Sequence, residues 1–256
     1  MLEVSDLSFR YSRNGPLVLS GVNMELHQGE IGILLGKNGS GKTTLFKNLL
    51  GIHKPTGGAI RFFGEDLLKM PRRERARCIA YVPQDIQFGA LSVFDSILMG
   101  RVSYFGLKAN HEDYIAVEKI IADMHLENFA DRNVEELSGG ERQKIAIARA
   151  MAQEPKLMVF DEPTGNLDIA NEQLIIEEAK KLAKEKNIGI LSSLHDLNRA
   201  MYFGDKFFFL RDGIIKYAGG RECFNEEVIK TIFDIDVRIV EIENEKVILG
   251  GKHEKV

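Results

Sequence analysis

Apolar residues follow two different spacings along the chain. Short runs that alternate with polar residues, or that are apolar throughout, predict β-strands, whereas longer segments with an apolar residue every three or four positions predict helices. The predicted strands are residues 2–9, 22–26, 31–35, 60–63, 79–82, 157–160, 188–191 and 206–210, and the predicted helices are 42–50, 141–152 and 169–185. Because several of the strands alternate with helices, the pattern predicts an α/β fold of packed layers.

Residues 85–136 depart from this pattern. They lack strand-like runs and show helical spacing at 93–99 and 113–124, so we interpret them as a helical lobe inserted into the main domain. The stretch from Asp212 to the last residue is too short for a further domain. We therefore expect one domain over residues 1–220, with 221–256 as a short C-terminal extension of that domain.

Composition places the chain among globular proteins. Apolar residues make up 44% of the sequence and charged residues 28%, and the net charge is -4, which favours neither a disordered chain nor a general nucleic-acid-binding surface. The apolar runs are far shorter than the roughly 20 residues needed to cross a bilayer, and residues 1–10 lack a signal-peptide pattern. A role at a membrane would therefore need a partner protein.

The cysteines and the basic residues suggest no additional site. Cys78 and Cys223 are far apart and show no CxxC spacing, so we expect both to stay reduced. The six histidines show no metal-ligand spacing, which disfavours a zinc site. The basic stretch 72–77 is typical of a solvated helix face, with a partner-binding patch as the alternative.

A glycine-rich loop joins the predicted strand 31–35 to the predicted helix 42–50. It reads GKNGSGKT from Gly36 to Thr43 and fits the P-loop pattern. Glycines allow the backbone N–H groups to wrap closely around phosphates, Lys42 supplies a positive charge for the β and γ phosphates, and the Thr43 hydroxyl can ligate Mg²⁺. The alternative is a glycine-rich turn with a neighbouring lysine. The flanking strand and helix favour a nucleotide-binding loop.

Two adjacent carboxylates, Asp161 and Glu162, directly follow the predicted strand 157–160. Successive strand side chains point to opposite faces, so one carboxylate can approach Mg²⁺ while the other faces the attacking water. This assigns Asp161 to the metal and Glu162 to the general base. In isolation the pair could equally be a solvated acidic turn, but its occurrence together with a P-loop favours the catalytic interpretation.

A second candidate anion site is the turn Ser138-Gly139-Gly140, which precedes the predicted helix 141–152. Helix starts of this kind bind anions through free N–H groups. The simpler interpretation, that Ser138 caps the helix and the glycines ease the turn, is favoured when the turn is considered alone.

The segment containing this turn reads LSGGERQ and resembles the signature motif of ATP-binding cassette (ABC) ATPases. Together with the other motifs, it makes residues 1–220 resemble an ABC ATPase domain, which implies a P-loop NTPase core with an antiparallel β subdomain and an inserted helical subdomain. Tyr11 matches the adenine-stacking aromatic residue, 36–43 the Walker A motif, Gln84 the Q-loop, 157–162 the Walker B motif, 166–168 the D-loop and His195 the switch histidine.

This resemblance implies ATP and Mg²⁺ as cofactors and assigns roles to individual residues. The implied catalytic residues are Glu162, His195, Lys42 and Gln84, and the implied metal contacts are Thr43, Gln84 and Asp161. The implied nucleotide-binding residues are Tyr11, Gly36, Lys37, Asn38, Gly39, Ser40, Gly41, Lys42, Thr43, Thr44, Ser138, Gly139, Gly140, Gln143 and Asp168. Considered singly, Tyr11 could be a core residue, Gln84 a solvated turn residue and His195 a helix-start residue.

The resemblance also implies partners. ABC ATPases form head-to-tail dimers in which the Walker motifs of one copy and the signature turn of the other enclose each ATP. It further implies transmembrane permease subunits and, indirectly, a substrate-binding protein, with this chain at the cytoplasmic face of the cell membrane. No nucleic acid is expected as a partner.

Finer resemblances bear on the class of transporter. Residues 91–101, 167–171 and 194–198 resemble importers of iron chelates, haem, cobalamin and related metal complexes. In contrast, residues 163–166 read PTGN, which is also frequent in lipoprotein or peptide exporters, and Lys37 replaces a common proline. The alternatives are therefore an exporter subunit or a soluble ABC ATPase that acts in DNA repair or on ribosomes. One cassette without zinc modules or long heptad repeats favours the transporter.

Overall fold

The computed structural model describes residues 1–84, 86–163, 167–242 and 245–250. The strands are β1 (Leu2–Phe9), β2 (Leu19–Leu26), β3 (Ile31–Leu35), β4 (Gly57–Phe62), β5 (Glu65–Asp66), β6 (Ile79–Val82), β7 (Leu157–Asp161), β8 (Gly189–Ser193), β9 (Lys206–Arg211), β10 (Ile214–Gly219), β11 (Val237–Ile242) and β12 (Glu245–Gly250). The α-helices are α1 (Lys42–Leu49), α2 (Arg72–Cys78), α3 (Val93–Leu98), α4 (His111–Asp123), α5 (Gly139–Met151), α6 (Ile169–Lys186), α7 (Leu197–Phe203) and α8 (Glu226–Phe233). Short 3₁₀ helices occupy Met99–Ser103, Glu127–Phe129, Val134–Glu136 and Arg221–Cys223.

The described residues form a central six-stranded sheet in the order β10-β9-β3-β8-β7-β6. All neighbours in it pair in parallel except β10, which runs antiparallel to β9. A separate antiparallel sheet has the order β2-β1-β4-β5, and β11 and β12 form a hairpin. The predicted α/β fold is confirmed, and the antiparallel sheet matches the β subdomain that the family resemblance implied.

The central sheet is buried on both faces, which explains the continuous apolar runs of β3 and β7. Strand β9 shows the two faces most clearly. Phe207 and Phe209 pack against Phe224 with ring centroids 4.7 and 5.3 Å apart, in the core that also contains α5, α6 and α8. Phe208 and Leu210 point the other way, into a core shared with α1 and the antiparallel sheet.

Between β6 and β7 the described residues contain helices and no strand. A buried arginine ties this region to the end of α5: Arg101 Nε lies 3.1 Å from Asp113 Oδ1, and an Arg101 N–H group donates to the carbonyl of Ala152 at 3.1 Å. Helices α3 and α4 agree with the predicted helices to within two residues. Position 85 lies outside the described residues, and the division into a main domain and a helical lobe stays a prediction.

Strands β5, β10, β11 and β12 and helices α7 and α8 were not predicted from the sequence. Strands β10 and β11 have mostly half-buried or exposed side chains, so their apolar alternation is weak. The hairpin is attached to α7 through the Asn198 side chain, which exchanges hydrogen bonds of 2.8 and 3.0 Å with the backbone of Ile248. Helix α2 has no buried residue, as expected both of a solvated helix face and of the alternative, a partner-binding patch.

One further finding concerns membranes. Across the described ranges, no helix has both the length and the apolar character that a bilayer crossing requires.

Candidate functional site

The loop that joins β3 to α1 has a backbone that glycine favours. Gly39 and Gly41 have φ angles of +80° and +111°, in the left-handed region that side chains oppose. A Cβ on Gly36 would lie 2.3 Å from the carbonyl oxygen of Leu210. No described side chain caps the start of α1, so its first N–H groups face the loop without a side-chain acceptor. The loop is therefore a backbone cradle suited to an anion.

Lys42 is buried at the base of this loop. Its Nζ donates to the carbonyl oxygens of Gly36 at 2.9 Å and of Lys37 at 3.3 Å. Burial lowers the pKa of Lys42, and the nearby carboxylates of Glu162 and Asp161 oppose this shift. The ammonium group is thus held inside the loop, where it can meet phosphate oxygens.

Two other side chains of the loop differ in whether they are free to contact a phosphate ligand. Ser40 Oγ is buried and has no hydrogen-bond partner among the described residues, as expected of a group that meets a ligand. The Lys37 side chain points elsewhere, with Nζ 2.5 Å from Asp234 Oδ2. Only the backbone of Lys37 is therefore available to the nucleotide in this arrangement.

The carboxylates at the end of β7 lie in different surroundings. Asp161 is buried and accepts hydrogen bonds from Tyr81 OH at 3.2 Å and from Ser193 Oγ at 2.9 Å. Glu162 has a φ of +53°, a backbone conformation that costs roughly 1–3 kcal/mol for a residue other than glycine. Its Oε1 lies 2.6 Å from His195 Nε2. The two carboxylates thus have different partners, and the assignment of Asp161 to the metal and Glu162 to the general base stays a prediction.

A cavity of about 520 Å³ brings many of the predicted residues together. Its lining consists of Tyr11, Val18, Asn38, Gly39, Gly41, Lys42, Thr43, Thr44, Gln84, Glu162 and His195. Tyr11 lies at one end, where its hydroxyl is 2.9 Å from Thr44 Oγ1 and its ring is exposed. The cavity therefore runs from an exposed aromatic ring past the phosphate loop to the Glu162–His195 pair, a shape that suits a nucleotide.

The signature turn is not among the described residues that line this cavity. Ser138 caps α5 in a capping box, in which Glu141 N–H donates to Ser138 Oγ at 3.3 Å and Ser138 N–H donates to Glu141 Oε2 at 2.8 Å. A Cβ on Gly140 would lie 2.3 Å from the Asn171 side chain, so close packing requires glycine there. The capping interpretation of Ser138 therefore holds within one chain.

Two further predicted residues lie near this turn. Gln143 is buried on α5, and its Nε2 has no hydrogen-bond partner within the described residues. Asp168 caps α6 by accepting a 2.8 Å hydrogen bond from Asn171 N–H. Asn166, the first residue of the D-loop pattern, lies outside the described residues. None of the described signature and D-loop residues contributes to the cavity of the same copy.

Tyr81 and Ser193, which contact Asp161 directly, were not predicted from the sequence. A signal for Ser193 was present, because Ser192 and Ser193 directly follow the apolar run 188–191 and would lie in the buried sheet if that strand continued. A buried hydroxyl requires a hydrogen-bond partner. Tyr81 carried no comparable signal, because a tyrosine in an apolar strand is typical of core packing.

The described residues hold no cluster of three or more His, Cys, Asp or Glu side chains suited to a metal ion. The available oxygen ligands are the Thr43 hydroxyl, the Asp161 carboxylate and the Gln84 side chain. Mg²⁺ commonly binds through one or two protein groups together with water and substrate phosphates. The residues present therefore fit Mg²⁺ that arrives with a nucleotide.

The sequence of this chain is similar to those of several known proteins. A family model described as ABC transporter matches residues 19–165. An uncharacterized ABC transporter ATP-binding protein of Methanocaldococcus jannaschii is 36% identical, over 97% of this chain and 97% of its own length. The iron(3+)-hydroxamate import ATP-binding protein of Bacillus subtilis is 33% identical, over 88% and 85%. The spermidine/putrescine import ATP-binding protein of Spiroplasma citri is 34% identical, over 88% and 63%.

Solved structures show the same fold. An ABC transporter described as of the metal-chelate type, in an inward-facing conformation, has a TM-score of 0.81 at 30% identity, covering 97% of this chain and 95% of its own. A dimeric ATP-binding cassette in a post-hydrolysis state, bound to ADP and Pi, has a TM-score of 0.75 at 26% identity, covering 86% and 98%.

The position of Lys42 leads to a prediction. We expect Lys42→Ala to weaken binding of a fluorescent ATP analogue by about 10- to 100-fold, because hydrogen bonds to charged groups contribute about 1.5–3 kcal/mol. Titration of the analogue measures this change. Lys47→Ala on the same helix is the control and should bind like the wild type. Equal affinity of Lys42→Ala and the control would contradict the phosphate cradle.

Proposed function

The chain belongs to the ABC transporter family, in which it is an ATP-hydrolysing nucleotide-binding subunit, and we propose that two copies of it enclose MgATP to drive uptake through a membrane permease. One observation carries the proposal. A single cavity gathers Lys42, Glu162 and His195, whereas the signature turn at Ser138 contributes nothing to that cavity.

This separation supports a site shared between two copies. The cavity offers groups for one side of a triphosphate, and the N-terminal end of α5 offers a second set of backbone N–H groups on the same molecule. In a head-to-tail pair, Ser138, Gly139 and Gly140 of one copy would meet the γ-phosphate held by the other, with Gln143 and Asp168 beside them. ATP would then hold the pair together, and hydrolysis would release it.

Within this site we assign each side chain a role. Tyr11 stacks on the adenine, and the backbone of residues 36–43 with Lys42 and Thr44 binds the phosphates. Glu162 accepts a proton from the attacking water, and His195, whose Nε2 lies 2.6 Å from Glu162 Oε1, orients that carboxylate and meets the γ-phosphate. The strained backbone of Glu162 is consistent with a functional position.

Mg²⁺ would be held by Thr43, Gln84 and Asp161 together with the nucleotide, and it would neutralise charge that develops on the β and γ phosphates. All three groups offer oxygen atoms, which Mg²⁺ prefers. The buried carboxylate of Asp161 is already oriented by two hydrogen bonds.

A permease would dock on the helical region that follows Gln84. Its exposed apolar side chains include Met99, Val102, Leu107, Tyr114 and Ile115. Exposed apolar side chains are available for contact with a partner protein, and we assign these to the permease. Because Gln84 lies at the entrance to this region and also lines the cavity, permease movement and nucleotide binding can be coupled there. We therefore propose that the chain acts at the cytoplasmic face of the membrane.

For the cargo we propose an iron chelate, haem, cobalamin or a related metal complex, delivered by a substrate-binding protein. The motif resemblances at 91–101, 167–171 and 194–198 support this class, as do the named iron-hydroxamate relative and the metal-chelate type structure. The spermidine/putrescine relative makes a polyamine the main competing cargo.

The cargo proposal can be tested in vesicles that contain the permease, with ATP and this chain inside and the substrate-binding protein outside. We expect external ferric hydroxamate, haem or cobalamin to accumulate inside and to stimulate phosphate release, because import ends on the side of the ATPase. Spermidine is the matched control and should do neither. Spermidine uptake, or ATP-dependent loss of cargo from preloaded vesicles, would contradict the assignment.

The reaction assigned to Glu162 can be tested separately. We expect Glu162→Gln to lower ATP turnover by about 10²- to 10⁴-fold, the range typical of losing a general base. ATP binding should persist, so a nucleotide-bound dimer should accumulate on size-exclusion chromatography with light scattering. Glu185→Gln, at the exposed end of α6, is the control and should turn over like the wild type. Full turnover by Glu162→Gln would remove this residue from its role.

A further inference from the structure

Ser193 is a buried hydroxyl beside both reacting carboxylates. It is the last residue of β8 and pairs in register with Asp161, the last residue of β7. Paired residues on neighbouring strands have adjacent side chains on the same face of the sheet. This register brings Ser193 Oγ to the strand end from which Asp161 and Glu162 project.

The hydroxyl makes two hydrogen bonds in opposite directions. Ser193 Oγ donates to Asp161 Oδ1 at 2.9 Å and accepts from Glu162 N–H at 3.0 Å. A serine hydroxyl has one proton, and a backbone N–H group can only donate. The proton of Ser193 is therefore committed to the Asp161 carboxylate, and one side chain determines the positions of both neighbours.

Tyr81 completes the set of contacts to the carboxylate. Its hydroxyl donates to Asp161 Oδ2 at 3.2 Å, so each carboxylate oxygen of Asp161 has one donor. These two donors leave the remaining lone pairs of Asp161 for a metal ion.

The second bond of Ser193 bears on Glu162. The backbone of Glu162 has a φ of +53°, and such a conformation persists only when surrounding contacts hold it. The hydrogen bond from Glu162 N–H to Ser193 Oγ is a contact of this kind. In this conformation Glu162 Oε1 lies 2.6 Å from His195 Nε2.

We propose that Ser193 is a positioning residue, assisted by Tyr81, that fixes the metal-binding carboxylate of Asp161 relative to the general base Glu162. This inference rests on the roles proposed above for those two residues. Ser193 touches no reacting atom in this arrangement. It acts by holding Asp161 through its side chain and Glu162 through its backbone.

The matched control is Ser192, the preceding residue of the same strand. It is equally buried, but within the described residues its recorded hydrogen bond is a long one, 3.4 Å, to the carbonyl of Ser193. Ser192→Ala therefore removes the same atom from the same strand without touching either carboxylate. Ser193→Thr keeps the hydroxyl and tests rescue, and Tyr81→Phe removes only the donor to Asp161 Oδ2.

We expect Ser193→Ala to lower kcat by about 10- to 100-fold, the range typical of groups that orient metal ligands. A second measurement, titration of a fluorescent ATP analogue in Mg²⁺ and in EDTA, reports on the metal without turnover. In EDTA all variants should match the wild type, because the phosphate loop is unchanged. In Mg²⁺, Ser193→Ala should lose about tenfold in affinity. Tyr81→Phe should lose affinity only in Mg²⁺, and Ser193→Thr and Ser192→Ala should lose little.

Several outcomes would overturn the inference. One is equal kcat and equal Mg²⁺-dependent affinity for Ser193→Ala and Ser192→Ala. Another is a loss of nucleotide affinity in Ser193→Ala that is equally large in Mg²⁺ and in EDTA, because such a loss indicates general damage to the fold. If Ser193→Ala does not fold, Tyr81→Phe provides the test. An unchanged Mg²⁺-dependent nucleotide affinity in Tyr81→Phe would contradict the proposed orientation of Asp161. If the wild type released no phosphate, or Glu162→Gln hydrolysed fully, the proposed function itself would fail instead.

Discussion

The parallel pairing of β7 with β8, and of β8 with β3, is the constraint on which the chemistry of this molecule depends. It brings the carboxyl ends of three buried strands to one edge of the sheet. One strand leads into the phosphate loop, one into Asp161 and Glu162, and one into Ser193 and His195. Because all three strands are buried on both faces, their ends cannot shift without disturbing the two hydrophobic cores. The positions of the positive and negative groups around a triphosphate are thus set by packing far from it.

We propose that this edge provides one half of a site. The groups that face the cavity can bind a nucleotide on one side, while the start of α5 offers a second anion-binding end elsewhere on the same molecule. A second copy is the simplest source of the missing half, because the same chain then supplies both surfaces. In such an arrangement binding energy from ATP becomes association energy between subunits, and loss of the γ-phosphate weakens that association. Nucleotide chemistry is thereby converted into movement that a permease can follow.

Features that depend on a short stretch of sequence were predicted, whereas contacts between residues far apart in the sequence were not. The strand that precedes the phosphate loop and the strand that ends in the carboxylates are short apolar runs beside distinctive motifs, so their positions and the α/β fold were predicted correctly. Strands β10 and β11 were missed because their side chains are mostly half-buried or exposed, so their apolar alternation is weak. The contacts of Tyr81 and Ser193 with Asp161 join residues 80 and 32 positions apart. Such contacts follow from strand register, which a single sequence does not determine.

The shared site is tested most directly by mixing two inactive chains. Lys42→Ala lacks the phosphate charge but keeps its signature turn, whereas Gly139→Asp keeps the phosphate loop and places a negative charge in the turn. A Cβ at Gly139 has room, since its nearest neighbour among the described residues would be Leu167 Cδ2 at 3.8 Å. Assembled with the permease, each variant alone should release little phosphate, and the mixture should recover activity, because mixed pairs contain one intact site. Phosphate release by the mixture that merely equals the sum of the two variants alone would contradict a site formed between copies.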